Sequence, residues 1–164
     1  IACDNNDNIY VADSRNNRVS IFGPRHQWKA KFGSLGIERG GLQSALDVAV
    51  SSKGEVFVLE RDSISVFTSD GIFVRRMGSM GTGPGEFRSP LGLCLDGQDC
   101  VYVVDRGNKR VVKYDDAGNY LGIVCDATSG VVAPMAVAVD RRGRVYVADS
   151  QVRRVRIFSG PGET

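Results

Sequence analysis

Val101-Tyr102-Val103-Val104-Asp105 is one of four near copies of a single apolar run closed by an acid. The others are Ile9-Tyr10-Val11-Ala12-Asp13, Val56-Phe57-Val58-Leu59-Glu60 and Val145-Tyr146-Val147-Ala148-Asp149; the four acids follow one another at intervals of 47, 45 and 44 residues. A turn precedes each copy: Asn5-Asn6-Asp7-Asn8, Ser52-Lys53-Gly54, Gly97-Gln98-Asp99 and Arg141-Arg142-Gly143. Before the turn comes another short run, as in Leu46-Asp47-Val48-Ala49-Val50, Leu91-Gly92-Leu93-Cys94-Leu95 and Met135-Ala136-Val137-Ala138-Val139, with Ile1-Ala2-Cys3-Asp4 as a stub of the same kind. Third runs such as Arg18-Val19-Ser20-Ile21-Phe22 follow the acid, and fourth runs such as Tyr120-Leu121-Gly122-Ile123-Val124 follow a Gly/Asp/Asn turn. Period-two alternation with β-branched residues reads as strands joined by short turns. Four antiparallel strands in about 45 residues make a β-propeller blade. A β-sandwich would alternate in the same way, but it would not copy one unit four times.

Composition agrees. The chain has 164 residues, 42% of them hydrophobic, with 20 glycines and one tryptophan, which suits short strands and many turns. A net charge of +2 demands no polyanion, so local clustering of arginine matters more than the sum. No run of eighteen apolar residues is present, so no membrane span is expected. The opening Ile1-Ala2-Cys3-Asp4 carries no initiator methionine or signal peptide and reads as a cut into a longer protein. Cys3 and Cys94 sit in strand-like runs, while Cys100 and Cys125 lack CxxC spacing or histidine company. Free thiols in a reducing, cytoplasmic setting are the expectation.

The motif Asp13-Ser14-Arg15-Asn16-Asn17-Arg18 before Val19-Ser20-Ile21-Phe22 carries a family likeness, as does the connector Gly78-Ser79-Met80-Gly81-Thr82-Gly83-Pro84-Gly85-Glu86-Phe87 leading into Ser89-Pro90-Leu91-Gly92-Leu93. The chain resembles the NHL-repeat β-propellers, most of all the NHL domains of tripartite-motif proteins, over essentially its whole length. That resemblance implies blades at about 1–45 (cut at its start), 46–90, 91–134 and 135–164 (lacking its outer strand). The expected fold is therefore all-β, an incomplete ring of about four four-stranded blades, where NHL propellers commonly have about six. Open edges and faces of such a segment predict self-association. The second blade departs from the pattern. Glu60-Arg61-Asp62-Ser63-Ile64 is two residues shorter than its counterparts, lacks the arginine matching Arg18, Arg110 and Arg154, and has Ala45 where others have Pro90 and Pro134. A tighter turn is predicted there.

Asp13, Asp105 and Asp149 each stand five residues before Arg18, Arg110 and Arg154. Across a tight turn such an acid accepts backbone N–H groups and pairs with the arginine, a structural role repeated blade by blade. The alternative is a ring of metal ligands around the axis. Catalytic machinery is sparse: the single histidine, His26, lies in the turn Gly23-Pro24-Arg25-His26-Gln27. NHL-like lyases use several histidines at zinc, and lactonase-type propellers hold calcium with central carboxylates and amides. The candidate central strands instead offer Val48, Ala49, Leu93, Cys94, Val137 and Ala138. No catalytic residue, metal site or cofactor is expected. Gly81-Thr82-Gly83-Pro84-Gly85 lacks the following helix and lysine of a phosphate loop and reads as a connector.

The functional lead is basic. Arg15, Arg61, Arg106, Lys109 and Arg153 fall in loops after second strands, and Arg88 falls in an interblade connector. They are either scattered solvated charges or cations presented to a shared ligand surface. By resemblance, the chain is expected to be a non-catalytic domain that binds a protein partner, as in substrate recruitment by a tripartite-motif ubiquitin ligase whose zinc-binding RING would lie elsewhere. The alternative, also known among such domains, is single-stranded RNA binding on the basic loop face. Few aromatics map to those loops, and stacking platforms would be needed to strengthen it. Tyr10, Tyr102 and Tyr146 alternate within strands as packing residues, and Trp28 is either core or rim. A metal-dependent lyase or lactonase is the third reading.

Overall fold

A computed structural model describes residues 1–36, 38 and 40–159. The chain divides into two compact units, Ile1–Met77 and Gly78–Thr164. The first contains two antiparallel sheets. One is β1 (Ala2–Cys3), β2 (Ile9–Asp13), β3 (Arg18–Phe22) and β4 (Trp28–Phe32) in that order; the other is β5 (Asp47–Val50), β6 (Val56–Leu59), β7 (Ile64–Phe67) and β8 (Phe73–Met77). The second unit opens with a connector in which β9 (Ser79–Met80) pairs in parallel with β10 (Glu86–Phe87). Then come β11 (Pro90–Leu95), β12 (Val101–Asp105), β13 (Arg110–Tyr114) and β14 (Tyr120–Cys125), and a three-stranded sheet of β15 (Pro134–Val139), β16 (Arg144–Asp149) and β17 (Arg154–Ser159). These are the blades of a β-propeller, each an antiparallel meander of sequential strands.

The meander follows from alternation. In the first blade Tyr10 opposes Ile21 and Ala12 opposes Val19, so one face collects these four, while Ile9, Val11 and Phe22 collect on the other. The first of these faces buries against the next blade: Tyr10, Val19 and Ile21 share a core with Val48, Val56, Val58 and Phe67. The second unit repeats the arrangement with Tyr102, Val104 and Val111 against Val145 and Val147, flanked by Val137, Val139 and Phe158. Each fully buried aliphatic or aromatic side chain contributes roughly 1.5–3 kcal/mol, so the interblade faces dominate cohesion within a unit.

The tight turn expected in the second blade is present. Where the first and third blades form 3₁₀ turns, Ser14–Asn16 and Arg106–Asn108, Glu60 N–H bonds directly to Ser63 C=O at 2.8 Å. The missing arginine is replaced from a different strand. Arg76 of β8 approaches Glu60 at 3.5 Å, donates through Nε to Ser65 Oγ and through Nη2 to Gly41 C=O.

Candidate interaction surface

The recurring acid serves a purpose wider than its own turn. Glu60, Asp105 and Asp149 each accept a backbone N–H from a residue 17 positions earlier, in the connector that enters their blade: Gln43 at 2.5 Å, Arg88 at 2.7 Å and Val132 at 2.7 Å. All three carboxylates are buried. The residue before each donor, Leu42, Phe87 or Val131, is fully buried as well, so acid and apolar anchor together fasten the connector. Asp105 also takes Asn108 Nδ2 at 2.7 Å and Arg110 Nε at 2.8 Å. Arg110 then donates to the carbonyls of Thr82, Gly83 and Glu86. The glycine-rich stretch is thus a strapped connector.

Asp13 and Arg18 pair as expected, Nε to Oδ2 at 2.8 Å, and the Asn16 and Arg18 hydrogen bonds hold the Asp13 carboxyl below its ordinary range. Asp149 and Arg154 do not repeat this. Among the described residues Asp149 instead accepts backbone N–H groups of Val132, Ala133, Gln151 and Val152, and Arg154 is exposed. The reason is local. Val152 stands where Asn16 and Asn108 bridge in the other blades, and the connector is held instead by Arg156, which donates to Gly130 C=O at 2.8 Å. Burial works against the charge of Asp149, yet the four N–H donors keep its carboxyl below the usual value.

A second repeated constellation lies at the opposite end of the same strands, and the sequence reading passed over it. Tyr10, Tyr102 and Tyr146 donate their hydroxyls to Asp4, Asp96 and Asp140 at 3.2, 3.1 and 3.1 Å. The same carboxylates accept turn N–H groups, from Asn6 and Asn8, Gln98 and Cys100, and Arg142 and Arg144. The tyrosines therefore pack by their rings and tether by their hydroxyls. An Asp–Tyr spacing of six was the available signal, sharpened by the second blade, where Ser51 and Phe57 replace both partners together. Asp140 is held down to about 2: desolvation opposes its charge, but Arg144, the turn N–H groups and Tyr146 outweigh it.

The six candidate contact cations are all exposed, and among the described residues none forms an ion pair. Arg15 lies in the 3₁₀ turn after β2 and Arg61 in the turn after β6. In the second unit, Arg106 and Lys109 lie in the β12–β13 turn and Arg153 in the β16–β17 turn. Lys109 and Arg153 occupy equivalent positions in their blades, both with left-handed backbone at φ 53° and 54°. Arg88 joins them through its connector: its C=O accepts the Gly107 N–H at 2.7 Å, and a side chain at Gly107 would strike Arg88 C=O at 2.4 Å. Arg88 and the Arg106–Lys109 turn are thus one assembly. The nearby acids Asp105 and Asp149 are buried and already saturated, so they do not neutralise these cations.

Trp28 is a rim residue, 63% exposed. His26 sits in the β3–β4 turn with φ 61°. The four cysteines are free thiols, and burial pushes Cys125 up to about 12. Among the described residues no group of three His, Cys, Asp or Glu side chains is placed to hold a metal, and no helix is long and apolar enough to cross a membrane.

Repeated four-stranded meanders with strapped connectors and a cationic loop end define a propeller-type repeat domain. A family profile described as "6-bladed beta-propeller" matches residues 44–128, and one described as "NHL repeat" matches residues 1–22. The chain belongs to the six-bladed β-propeller family, with blades of the NHL type. It is 30% identical over 125 residues to "Protein brain tumor" of Drosophila melanogaster, covering 74% of this chain and 12% of that protein. It is 28% identical over 155 residues to NHL repeat-containing protein 3 of Homo sapiens, covering 88% and 44%. To the E3 ubiquitin-protein ligase TRIM32 of Mus musculus it is 28% identical over 105 residues, covering 56% and 16%. The chain thus spans less than half the length of these relatives. Among solved structures, virginiamycin B lyase from Staphylococcus aureus superposes with a TM-score of 0.65 at 10% identity, covering 97% of this chain and 54% of the lyase; that likeness is one of fold.

Proposed function

We propose that this chain is a non-catalytic interaction domain that recruits a protein partner through its loop end. The single supporting observation is the set Arg88, Arg106, Lys109 and Arg153, exposed and uncompensated on neighbouring loops of one unit. Arginine guanidinium groups, with the Lys109 ammonium beside them, suit the carboxylates of an acidic partner segment, and the strapped Arg88 connector and Arg106–Lys109 turn lower the ordering cost on binding. Arg15 and Arg61 supply the same chemistry in the first unit. The likeness to the E3 ubiquitin-protein ligase TRIM32 supports a setting in which the partner is delivered to ubiquitin ligase machinery carried outside this segment.

Single-stranded RNA is the second reading, favoured by the same four cations, since arginine serves phosphates as well as carboxylates. Fluorescence anisotropy with a labelled oligoglutamate peptide and a labelled oligouridylate separates the two. The peptide is expected to bind, with affinity falling at least about tenfold in Arg106→Glu with Lys109→Glu. Tighter RNA binding, with a steep salt dependence lost in the same variant, transfers the assignment to RNA. Binding of neither probe in dilute salt removes the loop end as a recognition surface.

A further inference from the structure

The shortened turn of the second blade leaves a space that the third blade fills. In the third blade Asn108 donates to Gly81 C=O at 2.9 Å, and Arg110 reaches the carbonyls of Thr82 and Gly83, so turn and connector pack together. The second blade has the same connector pattern. Gly36 is the repeat equivalent of Gly81, Leu35 of Met80, and Gln43, Ser44 and Arg61 of Arg88, Ser89 and Arg106. Between Glu60 and Ile64, however, it has no counterpart of Asn108. An open cleft of about 460 Å³ lies there, lined by Asn17, Leu35, Gly36, Gln43, Ser44 and Arg61. All of these residues belong to the first unit, and the blades on both sides of the connector are in place.

The walls of the cleft are fixed. Leu35 bridges to the fully buried Leu42, whose N–H bonds to Ser34 C=O at 2.8 Å. Ser44 N–H bonds to Asn17 Oδ1 at 2.8 Å, and Gln43 N–H is held by Glu60. These bonds leave Asn17 Nδ2, the Gln43 amide, the Ser44 hydroxyl and the Arg61 guanidinium without a partner among the described residues. Glu60, the acid next to Arg61, is spent on Gln43, Ser65 and Arg76. The cleft therefore offers hydrogen-bond donors and a positive charge together with an apolar wall, Leu35, which is 76% exposed. No aromatic side chain lines it, so a nucleobase finds no stacking platform. Donors for a carboxylate beside a leucine for an alkyl group match two neighbouring side chains of a peptide. We propose that this cleft takes an acidic–apolar peptide segment, with an aspartate or glutamate carboxylate on Arg61, Gln43 and Asn17 and an adjacent aliphatic side chain against Leu35. The inference rests on the protein-recruitment reading and gives the first unit a sequence preference that the cations Arg88, Arg106, Lys109 and Arg153 do not supply.

The test is fluorescence anisotropy with two labelled peptides of equal length and charge, one alternating glutamate with leucine and the other glutamate with glycine, alongside labelled oligouridylate. The glutamate–leucine peptide is expected to bind at least about tenfold more tightly, the factor that partial burial of one leucine supplies. Arg61→Glu is expected to weaken that peptide at least about tenfold by removing the partner of its carboxylate. Leu35→Ser is expected to bring its affinity down to that of the glutamate–glycine peptide. Gly36→Trp fills the cleft without touching a charge, since a Cβ there meets nothing closer than 3.9 Å, and is expected to abolish the preference. Circular dichroism confirms that each variant is folded; Leu35→Ser takes the place of Gly36→Trp if the latter is not. Equal affinities for the two peptides, both reduced in Arg106→Glu with Lys109→Glu, overturn this inference and leave the protein-recruitment reading standing. Binding of neither peptide in dilute salt overturns both. A glutamate–leucine preference that survives Arg61→Glu and Gly36→Trp lies elsewhere on the chain and overturns the cleft. Oligouridylate that binds more tightly than either peptide and is lost in Arg61→Glu gives the cleft to RNA and likewise overturns it.

Discussion

At the scale of single residues, the buried acid is the most consequential side chain. Asp105 is completely buried and receives Arg88 N–H, Asn108 Nδ2 and Arg110 Nε. Asp105→Ala is expected to cost about 3 kcal/mol, since it strands a guanidinium in a site with little water. Urea unfolding reads this directly, and a loss below about 1 kcal/mol refutes the strapping role. The turn acids add a pH dependence. Asp4, Asp13, Asp140 and Asp149 all have folded-state values below the ordinary carboxylate range, Asp140 at about 2. Between about pH 4 and pH 2 the unfolded chain therefore binds more protons than the folded one, so stability rises with pH through that window and is lost as pH falls. Asp140→Asn is expected to flatten this acid limb in urea titrations run at several pH values. The Asp13–Arg18 pairing was legible because five residues span a single turn. The failure at Arg154 was not, since it depends on Val152 and on where Arg156 reaches.

At the scale of elements, the connectors carry the most specific geometry. Gly78 sits at φ +78°, and a Cβ there would meet the Phe87 ring at 2.2 Å; Gly33, with φ +87°, has the same relation to Leu42 in the first unit. Both glycines let the chain turn sharply over the apolar anchor of its own connector. Gly78→Ala is thus expected to destabilise by about 2 kcal/mol, combining left-handed strain with overpacking against a fully buried ring. Thermal unfolding that matches wild type would show that the anchor can yield. The strands themselves were readable from alternation, and the shortened second-blade turn from its residue count. The supply of Arg76 to Glu60 was not readable, because the donor comes from an outer strand sixteen residues on, in a register only the folded sheet defines.

At the scale of the whole molecule, each unit shows the logic of a repeat fold. A blade has two apolar faces and buries one by lending the other to its neighbour, so cohesion is a nearest-neighbour property. The loop end is released from that duty and is where cations stand free: the acids nearest to them are spent on the connectors. From the sequence alone came the all-β class, the 45-residue period, the irregular second blade and the cationic loops, because hydrophobic periodicity and turn chemistry are local quantities. Only the tertiary structure decided that the recurring acids fasten connectors 17 residues upstream and that the tyrosines tether turns. Those outcomes depend on which surfaces meet in space, and near-identical repeats give every blade the same local pattern whatever neighbour it meets.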